Sequence, residues 1–387
     1  MGVSIICGEN LKFVAKGCDE VKKILIVSTV SRQFYLFEQG NIEVLQSLGY
    51  EVHGAANFED ANERLDALDI IRHPFDIQRS PFSLKNIKAY KQLKEIMKSQ
   101  DFDAVHCHSP MGGVLARLAA KSIGLSPVVY TAHGFHFYDG APRLNWLIYY
   151  NVEKYLSKFT DTIVTINKED YARAKTFKSK NVISVPGIGV DSSKFDNVKV
   201  DKIKKREELE IPQGAVVLLS IGEMIKRKNH EIALKALAQL KNRNYVFLVC
   251  GRGELENHLK DLAQKLGIGD KVRFLGFRND IPEICIASDI FVFPSYQEGL
   301  PVSVMEAMSA GLPIIASRIR GNTDLIQNGN GGYLNEPDDF WGIAKSIDKV
   351  IENEKLRAEM GIRNKSEVKK YDKQVVKERM RELYMKL

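Results

Sequence analysis

Short apolar runs that alternate with longer helical stretches constrain the fold of this 387-residue chain. Their apolar residues are continuous, which is typical of strands buried on both faces in parallel sheets covered by helices. The first half contains the candidate strands 23–28, 102–106, 127–132, 161–166 and 181–185. The second half contains the candidate strands 215–221, 245–250, 272–275, 289–294 and 313–316. The sequence therefore predicts an α/β protein with two series of parallel strands.

The segment 186–214 separates the two series. It begins Pro-Gly-Ile-Gly and continues into a polar stretch rich in lysine, which indicates a hinge between domains. We predict two Rossmann-like, doubly wound domains that face each other across a cleft, with ligands at the carboxyl ends of the strands. The predicted units are an N-terminal domain, a C-terminal domain and a final helix that packs back on the first domain, over residues 1–190, 191–368 and 369–387. Residues 1–20 precede the first strand and have no assignment.

Composition excludes several other classes of protein. Hydrophobic residues make up 44% of the chain and charged residues 27%, which excludes disordered, collagen-like and coiled-coil proteins. No apolar run approaches the ~18–20 residues of a membrane span, and no secretory signal is recognisable at the N-terminus. We therefore expect a cytoplasmic protein. The five cysteines form no CxxC pair, so we expect reduced thiols.

The net charge of +7 is spread evenly, with +3 over residues 1–190 and +4 over residues 191–387. Nucleic-acid binding would require a concentrated basic stripe or a known motif, and the sequence has neither. We expect no nucleic-acid partner. The mild positive excess is compatible with an anionic membrane surface or a phosphate-bearing substrate.

The segment 289–311, DIFVFPSYQEGLPVSVMEAMSAG, carries the strongest signs of a ligand site. An apolar strand ends at Pro294, a polar turn follows, and a helix begins near Pro301 and ends at Gly311, as the preference for proline at helix starts and glycine at helix ends predicts. The turn precedes a helix N-terminus, whose free N–H groups and dipole attract anions. Gly299 would let a ligand approach the backbone closely.

Two carboxylates belong to this segment. Glu298 lies in the turn at the mouth of the predicted cleft, and Glu306 lies in the helix among apolar residues. A carboxylate buried there without a partner would be costly. The spacing alone leaves open that Glu306 lies on an exposed helix face and that Glu298 is an ordinary loop carboxylate.

The pair resembles the E-x7-E arrangement of retaining nucleotide-sugar glycosyltransferases, and the chain is similar to glycosyltransferase family 4. The similarity runs from about Lys22 to the end, through the segments HCHSPMGGVLARLAA, YTAHGFHFYDG, NKEDYARAK, GEMIKRKNHE, CGRGELE, LGFRNDI and SRIRGNTDLI. The N-terminal segments are similar to bacterial members that build capsular, exopolysaccharide or glycoprotein glycans on a polyprenyl carrier. The resemblance implies a GT-B fold, with the acceptor mainly on the N-terminal domain and the donor on the C-terminal domain.

The resemblance also implies roles for individual residues. Glu306 corresponds to the carboxylate that binds the donor ribose, and Glu298 to the carboxylate beside the donor sugar. The amides of Gly299 and Leu300 would contact the sugar and the diphosphate. Lys228 matches a lysine that binds the diphosphate, where its charge would stabilise the leaving group.

One position departs from the family pattern. Gly222 ends a strand, and the next residue is Glu223 where the family usually has an arginine. We predict that Arg227 supplies the missing cation, although Lys226–Lys228 alone could be a solvated helix start. Base recognition is expected near Arg252 and the loop Gly276-Phe277-Arg278, with uridine as the base by resemblance.

Histidines supply the last candidates. His133 follows a strand and should face the cleft; the corresponding family histidine contacts the donor sugar near the reacting centre. His106 and His108 share one strand face, so a metal site with Cys107 or His136 is the alternative. The sequence has no Asp-x-Asp motif, and the GT-B pattern uses lysine and helix dipoles instead. We therefore expect no metal and no cofactor besides the UDP-sugar donor.

Two segments are candidates for the acceptor side. Residues 143–159 are rich in aromatic side chains, which favour membrane interfaces, and residues 84–98 are rich in lysine. The alternatives are a core helix with an exposed rim and a solvated helix face. The resemblance implies a polyprenyl-diphosphate-linked acceptor, an N-acetylhexosamine donor and a peripheral position on the inner face of the plasma membrane.

Two rival functions remain at this level: a nucleotide-sugar epimerase of GT-B fold, and a catalytically silent nucleotide-sugar-binding protein. A dehydrogenase is disfavoured because the first strand is followed by 28–31, STVS, instead of GxGxxG. Retention of configuration is implied by the family. Since no nucleophile can be named, we favour a front-face displacement assisted by the leaving diphosphate, in which the protein positions groups and stabilises charge.

Overall fold

The computed structural model describes residues 21–241 and 244–387, so the unassigned extension 1–20, with Cys7 and Cys18, lies outside the described residues. Within the described residues, the strands form two separate parallel sheets. This architecture confirms the predicted fold of two Rossmann-like domains. The domain limits at 190/191 and 368/369 stay predictions.

The N-terminal sheet has seven described strands in the order β3-β2-β1-β4-β5-β6-β7. Their bounds are β1 Lys23–Val30, β2 Glu51–Asn57, β3 Ile71–Pro74, β4 Ala104–His108, β5 Val128–Ala132, β6 Thr162–Thr165 and β7 Asn181–Ser184. The C-terminal sheet has six described strands in the order β10-β9-β8-β11-β12-β13. Their bounds are β8 Val216–Ile221, β9 Tyr245–Cys250, β10 Val272–Gly276, β11 Ile290–Phe293, β12 Ile314–Ser317 and β13 Gly332–Asn335.

The helices cover both sheets and connect successive strands. The α-helices of the N-terminal half are α1 Gln39–Ser47, α2 Glu63–Asp66, α3 Lys85–Ser99, α4 Pro110–Ile123, α5 Arg143–Asn145, α6 Asn151–Leu156 and α7 Lys168–Ala174. Those that follow are α8 Ser193–Asn197, α9 Lys202–Glu208, α10 His230–Leu237, α11 Glu256–Lys265, α12 Ile281–Ala287, α13 Val302–Ser309, α14 Asn322–Leu325, α15 Phe340–Ile351, α16 Glu354–Val368 and α17 Lys373–Tyr384. The remaining helical segments are the π-helices Phe34–Glu38 and Trp146–Tyr150 and the 3₁₀ turns Ser157–Phe159, Lys226–Lys228, Gly269–Lys271 and Lys369–Tyr371.

Strand burial explains why the strands could be located from the sequence. In β1, Ile24 and Ile26 belong to one apolar cluster, whereas Leu25 and Val27 belong to another. Side chains that alternate between two buried clusters require apolar residues at every position. All ten predicted strands are present.

Three strands were missed, and each lacks a continuous apolar run. β2 is built from EVHGAAN, in which a histidine and three small residues share the buried positions with one valine. β3 and β13 each lie at one edge of their sheet, and their short sequences IRHP and GYLN carry polar or exposed residues. An edge strand has one free side, so burial demands less of its sequence.

The strand order reverses at two points, between β1 and β4 and between β8 and β11. Loops at the carboxyl ends of strands diverge at such a point and leave a crevice for ligands. The loops after β8 and β11 contain Gly222 and Glu298, and the loop after β5 begins at His133. The topology therefore directs the predicted donor residues and His133 toward the same cleft.

The two halves of the chain contact each other through polar groups and α17. In this helix Lys377 pairs with Glu43 of α1 at 2.5 Å, and the hydroxyl of Tyr384 lies 2.8 Å from Nδ1 of His106 in β4. Both Tyr384 and His106 are buried. The C-terminal helix thus packs on the N-terminal sheet.

Among the described residues, Cys107, Cys250 and Cys285 are free and buried. Across residues 21–241 and 244–387, no helix combines the length and apolar character needed to cross a bilayer.

Candidate active site

Two cations meet one carboxylate at the mouth of the C-terminal sheet. Nη1 of Arg227 and Nζ of Lys228 each donate to Oε1 of Glu298 at 2.8 Å. Arg227 also donates to the carbonyl oxygen of Gln297 at 2.9 Å. Both cations therefore stand together beside the turn, where they are positioned to pair with a diphosphate.

The turn after β8 places Lys228 through a close contact with Gly222. A Cβ built on Gly222 would lie 3.4 Å from Cδ and Cε of Lys228, so the glycine leaves room for the lysine stem. Glu223, which stands where the family usually has an arginine, is exposed and lines a cavity that Lys228 also lines. Arg227 lies beside Lys228 and shares its partner Glu298, and its role as the replacement cation stays a prediction.

Glu306 lies on α13 and is only partly exposed, so the interpretation that it stands on a solvated helix face is wrong. Burial raises the pKa of this carboxyl to about 7, while the charges of Lys194 and Lys373 act in the opposite direction. Its oxygens make no side-chain hydrogen bond within the described residues. A carboxylate in this state is available to accept hydrogen bonds from a ligand.

A cavity of about 600 Å³ collects most of the predicted site residues. It is lined by His133, Gly222, Arg227, Lys228, Glu298, Gly299, Leu300 and Glu306. A neighbouring cavity of about 660 Å³ shares His133 and Glu306 with it and adds Phe277. Arg252 lines neither of these two cavities, and the guanidinium of Arg278 is held by Asp280 and Glu208. Of the residues expected to recognise the base, Phe277 and Arg278 therefore line the neighbouring cavity, whereas Arg252 does not.

The turn at Gly299 lies directly against the N-terminal half. A Cβ on Gly299 would stand only 2.2 Å from the carbonyl oxygen of His133, so no other residue fits without movement. The hydroxyl of Tyr138 reaches Oε1 of Gln297 at 3.4 Å in the same region. The loop after β5 and the turn before α13 thus form one wall of the cleft.

A buried acid, Glu38, lies behind His133. Its Oε1 accepts from Nε2 of Gln33 at 2.9 Å and lies 3.0 Å from Nδ1 of His108, and its Oε2 accepts from Asn41 at 2.6 Å. Nε2 of His133 lies 3.6 Å from Oε1 of Glu38. Burial alone would raise the pKa of Glu38, but the neighbouring imidazoles outweigh burial and hold it below its usual range. The network therefore supplies a negative charge behind His133.

Glu38 was missed because nothing in the sequence QFYLFEQG marks it. It ends the π-helix Phe34–Glu38, and π-helical turns occur often at functional sites.

The atoms of Glu38, His108 and His133 lie within 4.8 Å of one another, close enough to hold a metal ion. A metal-bound histidine normally donates its second ring N–H to an acceptor. Nε2 of His108 is buried and has no partner, and burial lowers the pKa of this histidine. A neutral His108 that donates from Nδ1 to Glu38 fits these observations better than a metal ligand does. His106 is engaged by Tyr384 and Thr131 instead.

Arg320 is a second functional candidate that the sequence did not reveal. Its Nη1 pairs with Asp170 at 2.7 Å, its Nε donates to the carbonyl of Glu298 at 3.0 Å, and its Nη2 donates to the carbonyl of Phe135. The side chains of Arg320 and Asp170 are 3% and 0% exposed. This buried pair joins the donor turn to α7 of the N-terminal half.

The two segments that are candidates for acceptor binding, 143–159 and α3, each contain both buried and exposed apolar side chains. In the 143–159 segment, Trp146 and Tyr149 pack on the core, whereas Leu144 and Leu147 are exposed. In α3, Leu93 is buried while Ile87 is exposed. The alternative of a core helix with an exposed rim describes the first segment well, and its rim is apolar.

These features are those of a glycosyltransferase with the GT-B fold. The chain belongs to the glycosyl transferases group 1 family, which it matches over residues 201–367, and residues 23–167 match the glycosyl transferase 4-like family. It is similar to the putative glycosyltransferase EpsD of Bacillus subtilis, at 36% identity over 94% of this chain and 96% of that protein.

Other relatives extend the comparison. The chain is 32% identical, over 70% of its length and 72% of the relative's, to the Escherichia coli UDP-Gal:alpha-D-GlcNAc-diphosphoundecaprenol alpha-1,3-galactosyltransferase. Among solved structures, Anabaena HepE in complex with UDP and glucose superimposes with a TM-score of 0.77 at 20% identity, over 95% of this chain and 100% of that one. This structural likeness confirms the GT-B fold.

Proposed function

We propose that the chain is a retaining glycosyltransferase that moves a sugar, expected to be an N-acetylhexosamine, from a UDP-sugar to a polyprenyl-diphosphate-linked saccharide. The reaction would need no metal and would occur at the inner face of the plasma membrane during assembly of surface glycans. The observation that carries the proposal is the convergence of Arg227 and Lys228 on Glu298, in the cavity that also contains Glu306 and His133.

The donor side of the proposal follows from charge and geometry. The diphosphate would take the place of Glu298 as the partner of Arg227 and Lys228, with the N-terminus of α13 and the amides of Gly299 and Leu300 beside it. Glu306 would accept the ribose hydroxyls. The carboxylate of Glu306 has no hydrogen-bond partner among the described residues, which supports this role.

The chemical step can be written with these groups. The bond between the anomeric carbon and the diphosphate oxygen breaks, and the acceptor hydroxyl forms a bond to that carbon on the same face. The hydroxyl proton passes to the departing phosphate oxygen. Lys228 and Arg227 would stabilise the charge that develops on the diphosphate, and His133 would hold the sugar ring near the reacting centre.

The acceptor class is supported by the names of two relatives. Besides the E. coli enzyme, a Campylobacter jejuni N,N'-diacetylbacillosaminyl-diphospho-undecaprenol alpha-1,3-N-acetylgalactosaminyltransferase is 25% identical over 94% of this chain and 98% of its own length. Both names specify a sugar linked to diphosphoundecaprenol. The two names specify different transferred sugars, so several UDP-sugars have to be tested as donors.

The test is transfer of radiolabelled UDP-galactose, UDP-GlcNAc and UDP-GalNAc to GlcNAc-diphosphoundecaprenol, in buffer with a strong chelator. We expect a new lipid-linked product with one of the donors and loss of at least a hundredfold in turnover for Lys228→Ala. Lys226→Ala is the matched control, because Lys226 is exposed and lines neither the cavity of about 600 Å³ nor that of about 660 Å³. Conversion of the UDP-sugar without acceptor would identify an epimerase instead, and binding of UDP without any product would favour a silent protein.

A further inference from the structure

A cavity of about 400 Å³ lies in the N-terminal half, beside the reversal of strand order between β1 and β4. Its walls come from the end of β1, the start of α4, the loop before α3 and Tyr149. A cavity of about 240 Å³ that contains His133 shares Gln33, Phe37 and Tyr149 with it. The N-terminal cavity is therefore continuous with the region next to the reacting centre, although none of the donor-binding residues lines it.

The charge of this N-terminal cavity is positive. Arg32 and Arg79 line it, and no acidic residue among the described residues does. Arg79 makes no hydrogen bond or ion pair in the described parts of the chain, and Nε of Arg32 stands 4.0 Å from the carboxylate of Asp60, which lies outside the lining. Both guanidinium groups are exposed; that of Arg79 has no partner among the described residues, and that of Arg32 has only this long contact with Asp60.

The backbone adds donors at the same place. The 14-residue helix α4 begins at Pro110, and its first intrahelical amide bond runs from Gly113 to the carbonyl of Ser109. The amides of the first turn and the helix dipole favour an anion there. Independently, the hydroxyl of Ser28 is buried, borders this cavity and has no hydrogen-bond partner. A buried hydroxyl without a partner is costly unless a ligand or water satisfies it.

Exposed apolar side chains lie close in the sequence to two residues of the cavity wall. Phe82, which follows Pro81 of the wall, is 82% exposed. Leu147, two residues before Tyr149 of the wall, is 67% exposed. A ligand that joins two phosphates to a hydrocarbon chain would match both the arginines of the wall and these exposed apolar side chains.

We propose that this cavity binds the diphosphate of the lipid-linked acceptor, with Arg32, Arg79 and the start of α4 around the phosphates and the exposed side chains of Phe82 and Leu147 in contact with the isoprenoid chain. The inference rests on the proposed function, because it assigns the acceptor of that reaction. The sugar attached to the diphosphate would then extend through the smaller cavity toward His133.

The experiment measures binding of farnesyl diphosphate to the full chain by calorimetry, together with inorganic pyrophosphate, dodecyl phosphate and UDP. The variants are Arg79→Gln and Arg32→Gln, and the control is Lys91→Gln, which removes an exposed charge of α3 outside all the cavities described here. We expect each arginine variant to bind farnesyl diphosphate at least tenfold more weakly, because a charge-assisted hydrogen bond is lost. UDP binding should stay within twofold of the parent in all three variants.

The four ligands of this binding experiment distinguish a lipid diphosphate from other phosphate-containing compounds. Binding of pyrophosphate or dodecyl phosphate as tight as that of farnesyl diphosphate would overturn the assignment to a lipid diphosphate. Equal binding of farnesyl diphosphate by the parent and both arginine variants would overturn the cavity, while UDP binding could still support the donor site. Arginine-dependent binding of farnesyl diphosphate without any response to UDP would support the cavity and count against the proposed function.

Discussion

The buried carboxylate of Glu38 stands 3.6 Å from Nε2 of His133, an imidazole whose other side opens to the cleft. The same ring nitrogen lies 3.1 Å from Nε2 of Gln33 and 3.2 Å from Nδ1 of His108. Glu38 accepts a hydrogen bond from that amide of Gln33, so it holds a group that contacts the ring. Glu38 is therefore a positioning residue for His133 in the proposed reaction.

Replacement of Glu38 by glutamine keeps the shape of the side chain and removes its charge. We expect kcat to fall about tenfold or more, with little change in KM for the donor, because the ring of His133 loses its fixed orientation. Steady-state kinetics with the donor varied would measure both quantities. Glu63→Gln on the surface of α2 is the control, and a kcat for Glu38→Gln equal to that of the parent would show that the carboxylate does not act through His133.

The raised pKa of Glu306 makes a prediction about stability. Its value in the folded protein, about 7, lies above the ordinary 4.5, so the folded state binds the proton more tightly than the unfolded state. The contribution of this group to the free energy of unfolding is therefore greatest at low pH and declines as the pH rises from about 4.5 to about 7. Glu306→Gln removes this decline.

The comparison needs urea unfolding of the parent and of Glu306→Gln at pH 5 and pH 8. We expect the variant to gain about 1–3 kcal/mol relative to the parent between the two values. All other titrating groups are common to both proteins and cancel, including Lys194 and Lys373, which face the carboxyl. The same pH dependence in both proteins would mean that Glu306 titrates normally.

The ion pair of Arg320 and Asp170 predicts a large loss of stability on truncation. Arg320→Ala leaves a buried carboxylate with the amide groups of Asn167 and Phe135 but without a cation. We expect a loss of about 3–5 kcal/mol in the free energy of unfolding. Arg363→Ala breaks an exposed helical pair with Glu367 and should cost less than about 1 kcal/mol. Thermal unfolding of the two variants would decide, and equal effects would contradict a structural role for the buried pair.

The apolar rim of the 143–159 segment predicts contact with a membrane surface. Flotation with vesicles that contain anionic lipids should recover the parent, and Leu147→Glu should reduce the recovered fraction several-fold, because it adds a negative charge to an exposed apolar position. Ile362→Glu, at an exposed position on α16, is the matched control. If the parent stays in the bottom fraction, the membrane proposal fails.

The sequence predicted the structure well where a local feature requires a particular type of residue. Strands such as β1 and β8 are buried on both faces, so their apolar runs could be recognised, and the turn from Glu298 to Pro301 carries its own signature. β3 and β13 lie at sheet edges, and their sequences IRHP and GYLN contain no continuous apolar run. Glu306 was found through its spacing from Glu298, but its partial burial and its raised pKa depend on neighbours distant in the chain.

The second layer of the site could not be predicted for the same reason. Glu38 and His133 come together because β1 and β5 lie in one sheet, and Arg320 meets Asp170 only after the two halves dock. No local pattern records such contacts. Arg252 was expected from the sequence to lie near the base of the donor. Its side chain lines neither the 600 Å³ nor the 660 Å³ cavity.

The hydrogen bond between Tyr384 and His106 joins residues 278 positions apart. During synthesis the β4 strand leaves the ribosome long before α17 does, so this buried histidine acquires its partner only after α17 has been made. Until then a nascent chain exposes the face of the sheet that α17 covers. Burial of the N-terminal sheet is therefore not complete until α17 has packed against it.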